Sequence, residues 1–329
     1  MLLRARGFPT VRQRVIGLAA FILLVFTMFC SASTLSVRNL DFLGRGGGTA
    51  GLVARVGSPD NLCWNPSALV FGGGSSAFAG YMDYLVGVRG GTVGYLGHGP
   101  GAYGYGAWVS YLSSGTLILT TFDDPTGGKG ETFKHTEVLS GFAAGAELLP
   151  FLSVGGSVKL ARQDLDDFST SGLFGDLSIT VRAYSPDPKA GSLPAVYTSY
   201  IARNVVLSRW GEEQGDLPGN SEVGVSIEFP EGGLAAGCSF YFARDGRREV
   251  RSGVEARLSE DFELRIGYRR RTGLMSDQAN DLPWERGLMA GFGLAFGPVR
   301  FDYTYEDASP LDNIHRFTIG TLGGQPKRN

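Results

Sequence analysis

The sequence predicts an all-β protein, a transmembrane antiparallel β-barrel of about 14 strands, on three observations. Apolar and polar residues alternate in short segments along residues 74–322. The connections between those segments are alternately short and long, as in barrels of outer membranes. An N-terminal export signal precedes them, and no later apolar run reaches the roughly 20 residues that a membrane-spanning helix needs.

The export signal occupies residues 1–33. Four arginines precede an unbroken apolar run over 15–29, and the small residues 31–33 follow it. Cys30 follows the bulky Phe29, where lipoprotein signals have a small residue, so we do not expect lipidation.

The mature chain is acidic and poor in cysteine. Loss of residues 1–33 removes four Arg and no acid, which leaves 26 basic and 32 acidic residues and a net charge of −6. This balance excludes nucleic acid as a partner. Cys63 and Cys238 remain, one before the first strand and one on a predicted lipid-facing position, so we expect no disulfide.

The strands are clearest toward the C-terminus. Along 299–306, every second residue is apolar or aromatic and the others are charged or hydroxylated, which is the period of a strand with two different faces. The same alternation predicts further strands near 103–111, 152–160, 223–229, 250–258, 262–269 and 288–296, and weaker ones near 76–85, 88–96 and 196–209.

The connections supply an independent indication of orientation. Tight turns are predicted at 98–101, 149–150, 230–232, 259–260 and 297–298, and longer polar connections at 113–135, 162–172, 209–220 and 271–285. Outer-membrane barrels have short periplasmic turns and long extracellular loops, so both mature termini are expected in the periplasm. The stretch 185–195 is an exception, a long turn on the periplasmic side.

A soluble β-sandwich or secreted barrel would also alternate along its strands. Aromatic residues near predicted strand ends favour the membrane instead, because they suit the two interfacial girdles of a membrane barrel. These residues are Tyr111, Phe151, Tyr184, Phe229, Phe262, Phe296 and Tyr305.

Residues 42–54 (FLGRGGGTAGLVA), followed by Asp60 and by the sequence NPSAL at 65–69, resemble the N-terminal signature of the PorV/PorQ family. That family belongs with the FadL-type outer-membrane transporters. Later pieces occur in the order that the family shows, at 253–255, 264–269, 291–294, 301–305 and 315–317.

The resemblance implies a barrel with a plug segment in its lumen. Residues 34–73 would be this periplasmic or lumenal plug, with Gly46, Gly47, Gly48, Asp60, Asn65 and Pro66 as its characteristic residues. The alternative is that this glycine-rich stretch is only a flexible lead-in. Residues 323–329 trail beyond the last strand, whereas barrels of this kind commonly end on an aromatic residue.

Charged residues occupy one face of the C-terminal strands. Facing lipid at mid-depth, an Arg would cost about 2–4 kcal/mol, so the alternation directs them into the lumen. They form either a salt-bridged ladder that fills the barrel and holds the plug, or a polar wall that contacts a ligand. They are Arg251, Glu255, Arg257, Glu263, Arg265, Arg269, Arg300, Asp302, Glu306 and Arg316.

No residue is predicted to be catalytic, and no cofactor or metal is expected. The pattern GxGxxG at 46–51 lacks the βαβ unit of a dinucleotide site. His98, His135 and His315 accompany neither a nucleophile motif nor a metal-spaced cluster. The protein is therefore not expected to be an enzyme.

The resemblance implies two functions. The first is a passive conduit or binding site for small hydrophobic molecules across the bacterial outer membrane. The alternative is a cargo-binding barrel of a type IX, PorV-like secretion system, with loops 113–135 and 271–285 carrying the contacts. The expected partners are outer-membrane lipid and either hydrophobic small molecules or secreted proteins.

Overall fold

Fourteen antiparallel strands close into a barrel in the computed structural model. Each strand pairs with its neighbours in sequence, and β1 pairs with β14 to close the sheet. The structure describes residues 40–72, 74–99, 103–120, 126, 128–166, 168–184, 194–207, 219–229, 233–243, 246, 248–272, 287–308 and 313–321. The predicted fold class is thus confirmed.

The strands vary in length from eight residues in β1 to 18 in β4. Their bounds are β1 Ser76–Asp83, β2 Arg89–Gly99, β3 Tyr103–Ile118, β4 Thr132–Leu149, β5 Leu152–Leu165, β6 Phe168–Tyr184, β7 Ala195–Val206, β8 Asn220–Phe229, β9 Leu234–Ala243, β10 Arg248–Arg257, β11 Phe262–Thr272, β12 Leu288–Phe296, β13 Val299–Asp307 and β14 Asn313–Thr321.

Side chains alternate between a buried inner face and an exposed outer face, because successive residues of a strand point to opposite sides. In β3, Trp108 and Leu112 are buried, whereas Tyr105, Val109 and Tyr111 are exposed. The outer face is rich in exposed aliphatic and aromatic side chains on strands around the whole barrel. The inner face buries charged, hydroxylated and apolar residues.

We name the two ends of the barrel by β1. The near end is the end at which β1 begins, and the far end is the end at which it ends. The strands with odd numbers run from near to far and those with even numbers run back. In the predicted orientation, the near end is periplasmic.

Two predicted long connections are shorter than expected. Strands β3 and β4 extend into the predicted loop 113–135 as far as Ile118 and from Thr132. The predicted loop 162–172 is wrong, because β5 and β6 are separated only by 166–167. Both stretches are polar, as a loop would be. A strand that continues beyond the apolar zone of a barrel has water on its outer side, so polar residues suit it as well as apolar ones.

An inner segment, residues 40–72, precedes β1. It contains helix α1 (Gly44–Gly48), helix α2 (Asn61–Trp64) and a 3₁₀ helix at Pro66–Phe71. Helix α1 packs against β11–β14, whereas α2 contacts β3 and β4, and the 3₁₀ helix contacts β3–β6. Since these strands lie on opposite sides of a closed barrel, the segment runs inside it. No helix among the described residues is long and apolar enough to cross a membrane.

Candidate functional site

The charged part of the inner wall pairs with two arginines of the inner segment. Arg45 places Nη2 2.8 Å from Glu255 Oε1 on β10, and Arg55 places Nη2 2.5 Å from the same oxygen. Arg55 also pairs with Glu228 on β8, at 2.8 Å. One wall carboxylate thus joins two points of the segment. We predicted neither arginine from the sequence, although Arg45 lies in the glycine-rich signature 42–54 and Arg55 directly follows it.

Arg265 on β11 is the centre of this network and is 1% exposed. It lies 3.0 Å from Glu255, 3.1 Å from Glu263 and 2.6 Å from Asp302. Arg300 on β13 also pairs with Glu263, at 2.6 Å, and with Asp302, at 3.0 Å. A buried charge without a partner costs several kcal/mol, so each member of the network needs the others.

Two smaller ion-pair groups lie beside the network. Arg251 on β10 pairs with Glu249, at 2.9 Å, and with Glu222 on β8, at 3.3 Å. Glu222 also faces Arg203 on β7, at 3.2 Å. Glu222, Arg203 and Glu249 all occupy buried inner positions of their strands, and we predicted no role for them from the sequence.

Arg269 and Arg316 both pair with Glu306 on β13, the latter at 2.8 Å. Arg316 Nε also donates a hydrogen bond to the Asp41 carbonyl oxygen of the inner segment, at 2.8 Å. Of the ten wall charges predicted from the sequence, Arg257 departs most from a lumenal position. It lies at the near-end rim, and its side chain is 54% exposed while it contacts Glu263.

Glycines of α1 allow the helix to lie directly on the charged wall. A Cβ on Gly47 would come 2.8 Å from Arg316 Cδ, and one on Gly48 would come 2.9 Å from Thr304 Oγ1. A Cβ on Gly46 would come 2.8 Å from Asp41 Oδ2 within the segment. A side chain at Gly47 or Gly48 would therefore require either the helix or these side chains of β13 and β14 to shift.

The opposite end of the segment is fixed by hydroxyl and amide groups. Asn65 Nδ2 donates to the Val53 carbonyl, at 2.7 Å, and to Thr180 Oγ1 on β6, at 3.2 Å. Ser67 donates its amide hydrogen to Ser178 Oγ, at 2.8 Å, and Ser153 Oγ donates to the Ser67 carbonyl, at 2.8 Å. The backbone at Asn65–Ser67 is thus hydrogen-bonded to β5 and β6 without any charge.

Glycines of the wall permit this close approach. A Cβ on Gly145 of β4 would lie 2.2 Å from the Pro66 carbonyl oxygen, and one on Gly155 of β5 would lie 2.3 Å from Ser67 N. His98 closes the same end, with its two ring nitrogens 2.8 Å and 2.6 Å from the carbonyl oxygens of Leu69 and Gly74.

Two apolar clusters line the other part of the inner wall. The far-end cluster combines Phe42 of the inner segment with side chains of β1, β3–β6 and β14. Its members are Phe42, Met82, Leu112, Leu139, Ala161, Phe174 and Ile314. The middle cluster combines three leucines of the segment with side chains of β1–β4. Its members are Leu43, Leu62, Leu69, Phe78, Leu96, Trp108 and Ala143.

A cavity of about 20 Å³ lies between the two clusters, which is room for about one water molecule. Leu139 of the far-end cluster and Leu43 and Trp108 of the middle cluster line it, together with the polar side chains of Asp41 and Lys159. A second cavity of similar volume lies beside α1 and is lined by Arg45, Asp60 and Glu255 among others.

Asp41 and Asp60 face each other across Gly46 inside the segment. Burial and the neighbouring Asp60 raise the pKa of Asp41 from its ordinary value of 3.8 to about 7, against the effect of Arg316. Burial also raises the pKa of Asp60, and the Ser58 hydroxyl and Arg45 oppose the rise. Neither carboxyl was grouped with a partner in the sequence analysis, because they are separated by 19 positions in an irregular stretch.

The described residues contain no group of three or more His, Cys, Asp or Glu side chains that could hold a metal ion. His135 lies on β4 beside Glu137, at 3.3 Å, and His315 Nδ1 lies 2.9 Å from the Tyr303 hydroxyl. Cys63 and Cys238 are both free.

Several solved structures have a similar fold. The crystal structure of the Pseudomonas putida toluene transporter TodX is 13% identical, with a TM-score of 0.56, over 87% of this chain and 98% of that chain. A Pseudomonas aeruginosa FadL homologue is 10% identical, with a TM-score of 0.51, over 89% of this chain and 98% of that chain. At these identities the likeness concerns the fold alone.

No protein-family model and no curated protein matches the chain. Membership of the PorV/PorQ family therefore stays a prediction.

Proposed function

We propose that this protein is an outer-membrane barrel that passes small hydrophobic molecules, with residues 40–72 as a plug in its lumen. The observation that carries the proposal is the apolar stripe on the inner wall, formed by the far-end cluster and the middle cluster, with the first cavity and its polar side chains Asp41 and Lys159 between them. A barrel for ions or sugars would not need two apolar clusters inside.

The outer face supports a location in a membrane. Large apolar side chains such as Leu177, Ile266 and Phe296 are more than 60% exposed on three different strands. In water, exposed apolar surface of this extent promotes aggregation, whereas in a bilayer it is solvated by lipid. A bacterial outer membrane is the bilayer in which closed barrels of this type occur, and the export signal is consistent with that destination.

The route that we propose begins at the far end. A hydrophobic molecule would first contact the far-end cluster, where Phe42 of the segment competes for the same wall side chains. Moving Phe42 and Leu43 would join the cavity to the middle cluster, since Leu43 lines the cavity and belongs to that cluster. The ion pairs of Arg45 and Arg55 would keep the remainder of the plug in place.

The fold likeness agrees with this proposal, because the toluene transporter TodX is a barrel of similar fold. No chemistry is required of the protein. The alternative of a cargo-binding secretion barrel has no described contact in its favour, and residues 273–286 of its proposed loop lie outside the described residues.

The test is uptake of radiolabelled toluene by cells whose lipopolysaccharide-bearing outer membrane otherwise excludes it. We expect a several-fold higher initial rate in cells that carry the protein. The variant Leu139→Asn should return the rate toward that of cells without it, because a polar amide would interrupt the apolar stripe beside the cavity. Equal rates with and without the wild-type protein would contradict the proposal.

The matched control is Val138→Asn. This neighbour makes the same kind of change on the outer face, where Val138 is 39% exposed. Uptake through this variant should remain at the wild-type rate once the amount of folded barrel is equalised.

A further inference from the structure

The inner segment contains two buried carboxyl groups that lack a complete set of partners. Asp41 Oδ2 and Asp60 Oδ1 each have no hydrogen-bond partner, and Asp60 is only 5% exposed. The two oxygens lie 2.8 Å and 3.2 Å from one point, the position that a Cβ on Gly46 would occupy. They are therefore no more than about 6 Å apart, with only glycine hydrogen between them.

The other oxygens of both groups are occupied. Asp41 Oδ1 accepts the Leu43 amide hydrogen, at 3.0 Å, and Asp60 Oδ2 accepts the Ser58 hydroxyl. A hydrogen bond from the Trp64 side chain also lowers the pKa of Asp41. Each carboxyl is thus held in place, while Asp41 Oδ2 and Asp60 Oδ1 have no hydrogen-bond partner. Two ionised carboxylates at this separation, both removed from water, repel each other strongly, and one of them is more stable with a proton.

Charged groups approach the pair from the segment and from five strands. Arg316 of β14 and Arg251 of β10 lie on the Asp41 side, and Lys159 of β5, which pairs with Asp176, lines the same cavity as Asp41. Arg45 of the segment, Arg265 of β11 and Asp302 of β13 act on Asp60. The arginines are already paired with Glu222, Glu249, Glu255, Glu263, Asp302 and Glu306, so their charge is largely neutralised before it reaches the aspartates.

We propose that Asp41 and Asp60 form a proton-binding site that carries one proton between them, and that loss of this proton loosens the inner segment. Protonated, the pair bears a single charge and the segment seats on the wall. When the pair is deprotonated, it bears two negative charges on opposite sides of Gly46. Movement of residues 41–60 away from their buried position then lowers the repulsion between the two carboxylates. Asp41 lines the first cavity and Asp60 the second, so this movement widens both.

The direction with pH follows from linkage. A carboxyl that is protonated more readily in the seated state than in the released state stabilises seating at low pH, and this stabilisation is lost as the pH rises. With the pKa of Asp41 moved from 3.8 to about 7, the loss occurs between those two values. The segment is therefore seated more firmly in mildly acidic than in alkaline medium.

Hydrogen–deuterium exchange of the folded full-length barrel in detergent tests the proposal. Protection factors of amides 41–64, corrected for the intrinsic exchange rate at each pH, should fall about tenfold between about pH 5.5 and about pH 8, while β8 and β9 stay unchanged. In Asp41→Asn the carboxyl cannot ionise, so the protection should no longer depend on pH. Asp60→Asn should behave in the same way and serves if the first variant does not fold.

The control is Asp83→Asn, which removes an exposed carboxyl that pairs with Arg89 at the end of β1. In this variant, the protection of amides 41–64 should depend on pH as it does in the wild type. Equal protection of the wild type at both pH values would overturn the proposal, as would a dependence that survives in both variants. The inference uses the same segment as the proposed plug, but no transported molecule enters this experiment. Failure of the proposed transport would therefore leave its result intact.

Discussion

The two halves of the inner wall hold the same segment by different physics. Strands β8–β13, with Arg316 of β14, present carboxylates and guanidinium groups that clamp Arg45 and Arg55 through paired charges. Strands β1–β6 present apolar side chains, hydroxyls and glycines, on which Leu43, Leu62 and the backbone at Asn65–Ser67 lie. Lys159 and Asp176 form the one described ion pair within β1–β6 that is buried on both sides.

In the proposed transport, this difference would separate anchoring of the segment from passage of a hydrophobic molecule. A buried ion pair is costly to open, because each separated charge loses its partner without regaining water. Apolar contacts have no preferred partner, so a hydrophobic guest can replace a leucine or phenylalanine at little net cost. The charged half is therefore suited to hold the segment, and the apolar half is the part of the wall where a guest can compete with it.

The largest expected effect on stability comes from removing the charge of Arg265 at the centre of the network. Arg265→Met should destabilise the barrel by about 3–5 kcal/mol, because Glu255, Glu263 and Asp302 each lose one partner and the buried network is left with an uncompensated negative charge. Urea unfolding in lipid vesicles, followed by tryptophan fluorescence, measures the change.

The control for this prediction is Arg89→Met, which removes an arginine whose side chain is 66% exposed. Its unfolding midpoint should not move beyond the error of the measurement. If the two variants had the same unfolding midpoint, the charged half would fill space inside the barrel without anchoring the segment.

A smaller effect is expected from overpacking the uncharged half. Gly155→Ala adds a Cβ 2.3 Å from Ser67 N, and backbone must shift to admit it. Overpacking of this kind costs about 1–3 kcal/mol, and the same unfolding assay detects it. In Gly99→Ala the added Cβ has no neighbour closer than 3.7 Å, so stability should be retained. A stable Gly155→Ala barrel would mean that the segment yields easily at this point.

Removing a single uncharged hydrogen bond should lower the free energy of unfolding by a still smaller amount. Ser153→Ala removes the donor to the Ser67 carbonyl and should cost about 1 kcal/mol. Ser252→Ala, on the outer face of β10, changes a hydroxyl that the segment does not use and is the matched control. If Ser153→Ala lowered the stability as much as Arg265→Met, the charged half would not be the stronger anchor of the segment.

The smallest expected effect is the coupling between the two halves, measured as the departure of the unfolding free energies from additivity. The double variant Arg45→Met/Ser153→Ala should unfold with the sum of the two single effects to within about 0.5 kcal/mol, because the two sites share no partner. A larger departure from additivity would show that the segment transmits force between the halves as one rigid body.

The sequence predicted the wall better than it predicted the contents of the barrel. The period of two along residues 250–269 and 299–306 placed Arg265 and Asp302 on the inner face, because alternation follows from strand geometry alone. The apolar clusters escaped detection, since Leu112, Leu139 and Phe174 each follow an aromatic or apolar residue of the outer face, namely Tyr111, Val138 and Leu173. A strand with two apolar faces carries no signal for which face is inside.

What the sequence by itself determined is local: the alternation of strands β8 and β10–β13 and the inward direction of their charges. What only the tertiary structure decided is which distant groups meet. Arg45 finds Glu255 across 210 positions, and Asp41 comes to face Asp60, only after closure of β1 on β14 gives the segment an interior to occupy. Residue pattern fixes the side of a strand on which a group stands, but its partner depends on the register and closure of the whole sheet.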